Sequence, residues 1–163
     1  MHATGWYPRV AAGRRVFVEQ RGEAGAGVLA AYRSAAAAGP ATLLAVMRGR
    51  AAEGVDLRDA EARGCLVVGV PFPQLSTEVE LKRRAAGGAR WYEAEAMRQV
   101  SQAAGRLLRH RGDFGALVLL DVRFAGSQLP LLAPWLRQLL KPSELDGARR
   151  DLAAFFAARA SGA

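Results

Sequence analysis

Leu43-Leu-Ala-Val-Met47 is a run of five apolar residues, set between Gly39-Pro40 before it and Arg48-Gly49 after it. A short continuous apolar run bounded by turn residues suits a strand buried on both faces, the kind that parallel sheets contain. Cys65-Leu-Val-Val-Gly-Val70 repeats the signal. Pro71-Phe-Pro73 stops it, because proline fixes φ and cannot donate to a ladder. Ala116-Leu-Val-Leu-Leu120, followed by Asp121, repeats it again, and Arg15-Val-Phe-Val-Glu19 reads as a further short strand from its β-branched and aromatic residues. Between these runs lie helical patterns. After a Gly-rich turn at 22–27, Val28 to Ala38 predicts an Ala-rich helix ended by Gly39-Pro40. A charged helix is predicted over Ser76 to Ala86, a long one over Trp91 to Arg111 and a last one over Leu145 to Ala160. Gly87-Gly88 marks a surface loop. Strands alternating with helices predict an α/β layer architecture with a mainly parallel sheet.

Composition narrows the class. At 163 residues the chain can bury one good core, so a single domain over 1–163 is expected. Its formal charge is +8, from 23 Lys+Arg against 15 Asp+Glu, with Arg far outnumbering Lys. Arginine suits bidentate contact with phosphate, which favours a nucleotide or nucleic-acid partner; GC-rich coding bias would fill a surface with Arg and Ala as well. The one cysteine, Cys65, excludes an internal disulfide, and with only His2 and His110, far apart, the chain has no metal-site spacing. No metal site is therefore expected. No apolar stretch approaches the roughly 18 residues needed to span a bilayer, and Met-His-Ala-Thr-Gly is not a secretory signal, so a soluble intracellular protein with no membrane partner is expected.

Two segments could carry chemistry. In Gln102-Ala-Ala-Gly-Arg-Leu-Leu-Arg-His110, a helix of 3.6 residues per turn sets Gln102, Arg106 and Arg109 on one narrow face, at i, i+4 and i+7. Met97, Val100, Ala104, Leu107 and Leu108 then form the opposite, anchoring face. Two guanidiniums and a carboxamide aimed away from the anchor would grip an anion, with polyphosphate the leading candidate; a solvated Arg face would look the same. Gly105, inside this helix, costs on the order of 1 kcal/mol relative to Ala, which implies that something passes close to it. The second segment is the loop Arg48-Gly-Arg-Ala-Ala-Glu-Gly-Val-Asp56, where Gly49 and Gly54 permit close approach or positive φ and Glu53 and Asp56 offer carboxylates. A Gly-containing loop with solvated charges would carry the same residues.

Other features read as structural. Trp6, Trp91 and Trp135 read as core anchors, and His110 has no carboxylate or nucleophile at a telling spacing. The chain holds no Ser-His-Asp arrangement, no Gly-x-Ser-x-Gly elbow and no Walker A ending.

The order of the segments Leu44-Ala-Val-Met-Arg-Gly-Arg-Ala-Ala-Glu-Gly-Val-Asp-Leu57, Val67-Val-Gly-Val-Pro-Phe-Pro73, Trp91-Tyr92 and Gln102 to Phe124 resembles that of the XPD-type superfamily 2 DNA helicases. It looks closest to their eukaryotic Fanconi-anaemia, telomere-length-regulator and chromosome-loss members, from about Trp6 to Phe156. The resemblance implies the second, C-terminal RecA-like motor domain, a three-layer α/β/α fold and a piece of a longer helicase. Arg48 to Leu57 matches helicase motif V, and Gln102 to Arg109 matches motif VI. By that resemblance Arg106 and Arg109 are arginine fingers reaching ATP phosphates across an interdomain cleft, and Gln102 orients the γ-phosphate and attacking water. Gly54 and Asp56 lie by the nucleotide, and Arg48 and Arg50 contact the nucleic-acid backbone.

The departures are informative. Leu57 replaces the usual aromatic residue after the aspartate, and Ser101 the usual asparagine before the glutamine. Walker A, the Asp-Glu-Ala-His box and the iron–sulfur cysteines are absent; in the family they belong to the first motor domain, which therefore binds most of the ATP and Mg²⁺. The apolar strand and helix that normally open the second domain are also missing, so the expected sheet is one strand short. The resemblance implies single-stranded or forked DNA and the first RecA-like domain as partners, DNA repair as the setting and the nucleus as the location. The isolated chain is expected to hydrolyse no ATP. The alternative is a helicase-derived binding or interaction module without catalysis, and a third reading is a basic nucleic-acid-binding domain whose motifs are coincidental.

Overall fold

The computed structural model describes residues 6–20, 25–49, 57, 59–108, 110 and 112–161. Among the described residues four strands form at or near the apolar and β-branched runs that predict them: β1 (Arg15–Val18), β2 (Ala41–Leu44), β3 (Gly64–Val68) and β4 (Ala116–Leu120). The helices are α1 (Trp6–Ala11), α2 (Gly25–Ala38), α3 (Thr77–Ala85), α4 (Ala89–Leu107), α5 (Pro134–Leu139) and α6 (Leu145–Ala160). All strand pairing is parallel. β1 pairs with β2 and β3 with β4, and among the described residues no strand joins the two ladders.

α2 opens at Gly25, inside the turn expected over 22–27, and β3 ends at Val68 instead of Val70; two further boundary shifts have clear physical reasons. β2 lies earlier than 43–47, because its partner β1 sets the register Arg15↔Ala41 to Val18↔Leu44 and then ends. Beyond that point the Glu19 carboxylate takes over as acceptor, receiving the Val46 N–H at 3.0 Å. α4 stops at Leu107 instead of continuing to Arg111; Leu108 is already extended, at φ −114° and ψ 103°. From there the chain returns to β4 through Asp113, whose carboxylate accepts the Phe114 N–H at 2.9 Å.

α3 shows its local code clearly. The Ser76 hydroxyl accepts the Val79 N–H at 3.2 Å as an N-cap, Glu78 and Glu80 occupy the first turn, and Lys82, Arg83 and Arg84 the last, each complementing the helix dipole.

The main core lies where α4 covers one face of β3 and β4. Val67, Ala96, Met97, Val100, Ala104, Phe124, Leu132 and Leu136 are buried there, with Cys65, Leu117 and Leu119 packed against them. α2 covers the other ladder with Leu29, Tyr32 and Ala35, and Tyr32 meets Phe17 edge-on at 6.1 Å. Polar links join the halves: the Tyr32 hydroxyl donates to the Glu61 carbonyl at 2.5 Å, and Arg33 lies 3.6 Å from the Glu61 carboxylate.

Burial on both faces does not hold for β3. Successive side chains alternate across a sheet, and Val67 is 3% exposed while Leu66 and Val68 are 63% and 79% exposed. Leu66 and Val68 pair in register with Val118 and Leu120, so the second face of this ladder is apolar and open. Trp135 is 43% exposed rather than a core anchor.

Candidate nucleotide-facing site

α4 carries the site because its sequence divides cleanly by face. Ala96, Met97, Val100, Ala104 and Leu107 form the buried stripe. Exposed Gln102 and half-buried Arg106 lie one turn apart on the other side. The helix ends at Leu107, and Arg109, the third residue expected on this face, lies outside the described residues. So do Arg50, Gly54 and Asp56, which leaves Gln102, Arg106 and Arg48 as the sequence-derived site residues whose placement is described.

Gly105 meets nothing. A Cβ built there has no heavy atom within 4 Å, so no part of the described chain explains the glycine by close approach. Gly105→Ala should therefore stabilise the isolated chain by about 1 kcal/mol, read as a rise of roughly 2–4 °C in Tm. If a ligand approaches this turn, the same substitution lowers ATP turnover in a helicase carrying the domain, and unchanged turnover would remove that reading of the glycine.

Arg48 is engaged within the fold. Its Nη2 donates to Glu95 Oε1 at 2.8 Å and to the Glu95 carbonyl at 3.4 Å, while Arg98 donates to Glu95 Oε2 at 2.6 Å. Glu95 sits two turns before Gln102, so this pair ties the loop after β2 to the helix that bears the site. Arg48, not Gly49, takes the left-handed backbone, at φ +68°. Gly49 instead supplies close approach: a Cβ there would stand 2.7 Å from the Val46 carbonyl and against the Glu19 carboxylate.

Further polar groups gather where the chain enters β3 and β4. Arg63 Nη1 donates to Asp113 Oδ1 at 2.7 Å and to the Phe114 carbonyl at 2.8 Å, with its guanidinium 4.0 Å above the Phe114 ring. His110 Nε2 lies 2.9 Å from Asp59 Oδ1, which supplies the carboxylate partner that spacing did not reveal. Asp59, His110 and Asp113 bring their ligand atoms within 4.8 Å of one another, yet the Arg63 guanidinium on Asp113 opposes a cation there. These pairs, like Arg48–Glu95, join residues about fifty positions apart, a separation for which one sequence offers no signal.

At the opposite ends of the same strands, Asp121 accepts from Arg123 N, Nε and Nη2 at 2.6–3.0 Å, and these bonds bring its carboxyl down to about 2. Arg123 lies 5.6 Å from the Phe72 ring centre, and Phe72 stacks on Tyr92 at 5.1 Å. This cluster fixes the exits of β3 and β4. Cys65 packs on the core, where burial pushes its thiol pKa up and makes it a poor nucleophile.

Comparison with known proteins agrees with this architecture. Residues 4–138 match the family described as "Helicase C-terminal domain". The regulator of telomere elongation helicase 1 homolog of Caenorhabditis elegans is 37% identical over 134 residues, covering 73% of this chain and 14% of that protein. Its Rattus norvegicus counterpart is 38% identical over 175 residues, covering 94% of this chain and again 14% of the relative. The Fanconi anemia group J protein homolog of Gallus gallus is 38% identical over 133 residues, covering 73% and 11%. This chain thus spans about one-seventh of the telomere-helicase relatives it matches. A solved XPD helicase superposes with a TM-score of 0.52 at 24% identity, over 71% of this chain and 23% of that one, which identifies the fold as RecA-like α/β. With residues 4–138 of its 163 inside the family match, the chain belongs to the helicase C-terminal domain family.

Proposed function

We propose that this chain is the C-terminal motor domain of an ATP-dependent DNA helicase and acts as one domain of a longer polypeptide. The observation that carries the reading is Gln102 and Arg106 one turn apart on the outer side of a helix whose other stripe is buried in the core. A cationic and carboxamide donor set fits a polyphosphate, whose transfer needs positioning and charge stabilisation more than covalent chemistry. Arg106 and Arg109 are the arginine fingers, Gln102 orients the attacking water, and Gly54 and Asp56 lie beside the nucleotide. Arg50 and Arg48 contact the DNA backbone; for Arg48 such a contact competes with Glu95.

Among the described residues this face carries no carboxylate set for Mg²⁺, and Mg²⁺ and most of the ATP contacts belong to the first motor domain. Nor does the chain suit the iron–sulfur cluster of the full-length family, because its one cysteine is turned into the core. Single-stranded or forked DNA and the first RecA-like domain are its partners, and nuclear DNA repair its setting.

The test compares ATP hydrolysis by the purified 163-residue chain with hydrolysis by the helicase polypeptide that contains it. The longer protein should show DNA-stimulated turnover, and the isolated chain none. Robust DNA-stimulated hydrolysis by the isolated chain would refute the division of labour. Salt-sensitive DNA binding without ATP coupling in the longer protein would mark a binding module instead.

A further inference from the structure

Asp59 and His110 are exposed, their side chains retaining 62% and 57% of full accessibility, yet they meet at 2.9 Å across 51 residues of sequence. An exposed pair of this kind contributes little to stability. Asp59 also holds φ at +45°, a left-handed conformation that aspartate takes more readily than most residues and that aims its carboxylate back at His110 across the fold. A long-range pair of small stabilising value points to a placement role.

The pair has a fixed neighbour. Asp113 N–H donates to the His110 carbonyl at 3.0 Å, and the Asp113 side chain, 1% exposed, receives Arg63. His110 and Asp113 are therefore each attached, His110 to Asp59 and Asp113 to Arg63, and both partners lie in the segment that leads into β3. One attachment leaves a turn free to pivot about it, whereas two define its orientation. His110 directly follows Arg109 in sequence, and Asp59 follows Asp56 by three residues.

We propose that Asp59 and His110 are positioning residues that lock the segment following motif V to the segment following motif VI, so that the motif VI arginines meet the nucleotide phosphates in register. This rests on the functional reading above, since it presumes that those arginines act on ATP. The pair touches no substrate. Its effect passes through the backbone it holds.

The experiment measures DNA-stimulated ATP turnover in the helicase polypeptide carrying this chain, for Asp59→Gly, His110→Ala, the double variant, Asp59→Asn and Arg106→Ala. Glycine accepts the left-handed φ without strain, so Asp59→Gly removes the carboxylate while sparing the fold. Thermal unfolding of the 163-residue chain bearing each substitution is the parallel readout. Each single loss should lower kcat about tenfold with the KM for ATP within about twofold, and the double variant should fall no further, because both remove one link. Asp59→Asn, which keeps an acceptor oxygen, should retain most of the turnover, and Tm should stay within about 2 °C of the parent for all five, as expected when an exposed pair is lost. Strictly additive losses, full turnover in both single variants, or a large fall in Tm accompanying the lost activity would each overturn the positioning role. Arg106→Ala separates the two readings: turnover surviving that change overturns the functional reading and this proposal with it, while turnover lost there and intact in Asp59→Gly and His110→Ala overturns the proposal alone.

Discussion

Arg106→Ala, in a helicase polypeptide carrying this domain, should reduce ATP turnover by about 10³- to 10⁵-fold while leaving DNA binding largely intact. The charge that develops on a transferring phosphoryl group is spread over its equatorial oxygens, and a guanidinium held rigidly beside them stabilises that charge where solvent cannot. Arg106 suits the role because α4 is immobilised by its other side: Met97 and Val100 are fully buried, and Ala104 and Leu107 nearly so. Lysine should not substitute, since a flexible ammonium cannot reproduce the planar fork that matches phosphate oxygens. Single-turnover hydrolysis with saturating DNA measures the chemistry, and filter binding of labelled single strands measures the retained affinity. Near-normal turnover in the alanine variant would remove Arg106 from the catalytic set.

The second large effect concerns stability and can be measured on the 163-residue chain directly. Arg63→Met should cost about 2–3 kcal/mol, because it takes a charged hydrogen-bond partner from the buried Asp113 carboxylate, which keeps the Phe114 N–H. The loss also takes the hydrogen bond to the Phe114 carbonyl and the cation stacked on that ring. For a chain of this size the cost corresponds to a fall in Tm of roughly 4–12 °C. The double variant Arg63→Met/Asp113→Leu should recover part of it, since replacing both charged partners by apolar groups removes the buried charge. A Tm unaffected by Arg63→Met would show that the pair adds nothing to the fold.

Strand identity was legible from local runs. Arg15–Val18 and Ala116–Leu120 sit within about a residue of the apolar runs that announce them, and Gly64–Val68 stops two residues short of its run, at left-handed Gly69, because β-branched and aliphatic residues between Gly or Pro boundaries have few other uses in a short chain. The helices were legible for similar reasons. Ser76 caps α3 by its own side chain, and the stripe from Ala96 to Leu107 has helical period. The faces of α4 were legible as well, with Gln102 and Arg106 set away from the buried stripe, and the order of the motifs placed the chain in its family. Boundaries fared worse. The end of β2 depends on where β1 stops offering partners, and the end of α4 on how the chain turns back toward β4.

Local sequence, then, sets the elements, their order and the two faces of α4, because propensity, capping and periodicity act between residues a few positions apart. Three-dimensional packing sets what no window can contain. It places Arg48 on Glu95 and His110 on Asp59, closes Arg63 over Asp113, and leaves Leu66 and Val68 open where a continuous apolar run implied burial on both sides. The physical reason is common to all of these. A charged side chain takes whichever partner the fold brings within about 3 Å, and an apolar one is buried only if another layer covers it. Both conditions depend on residues distant in sequence.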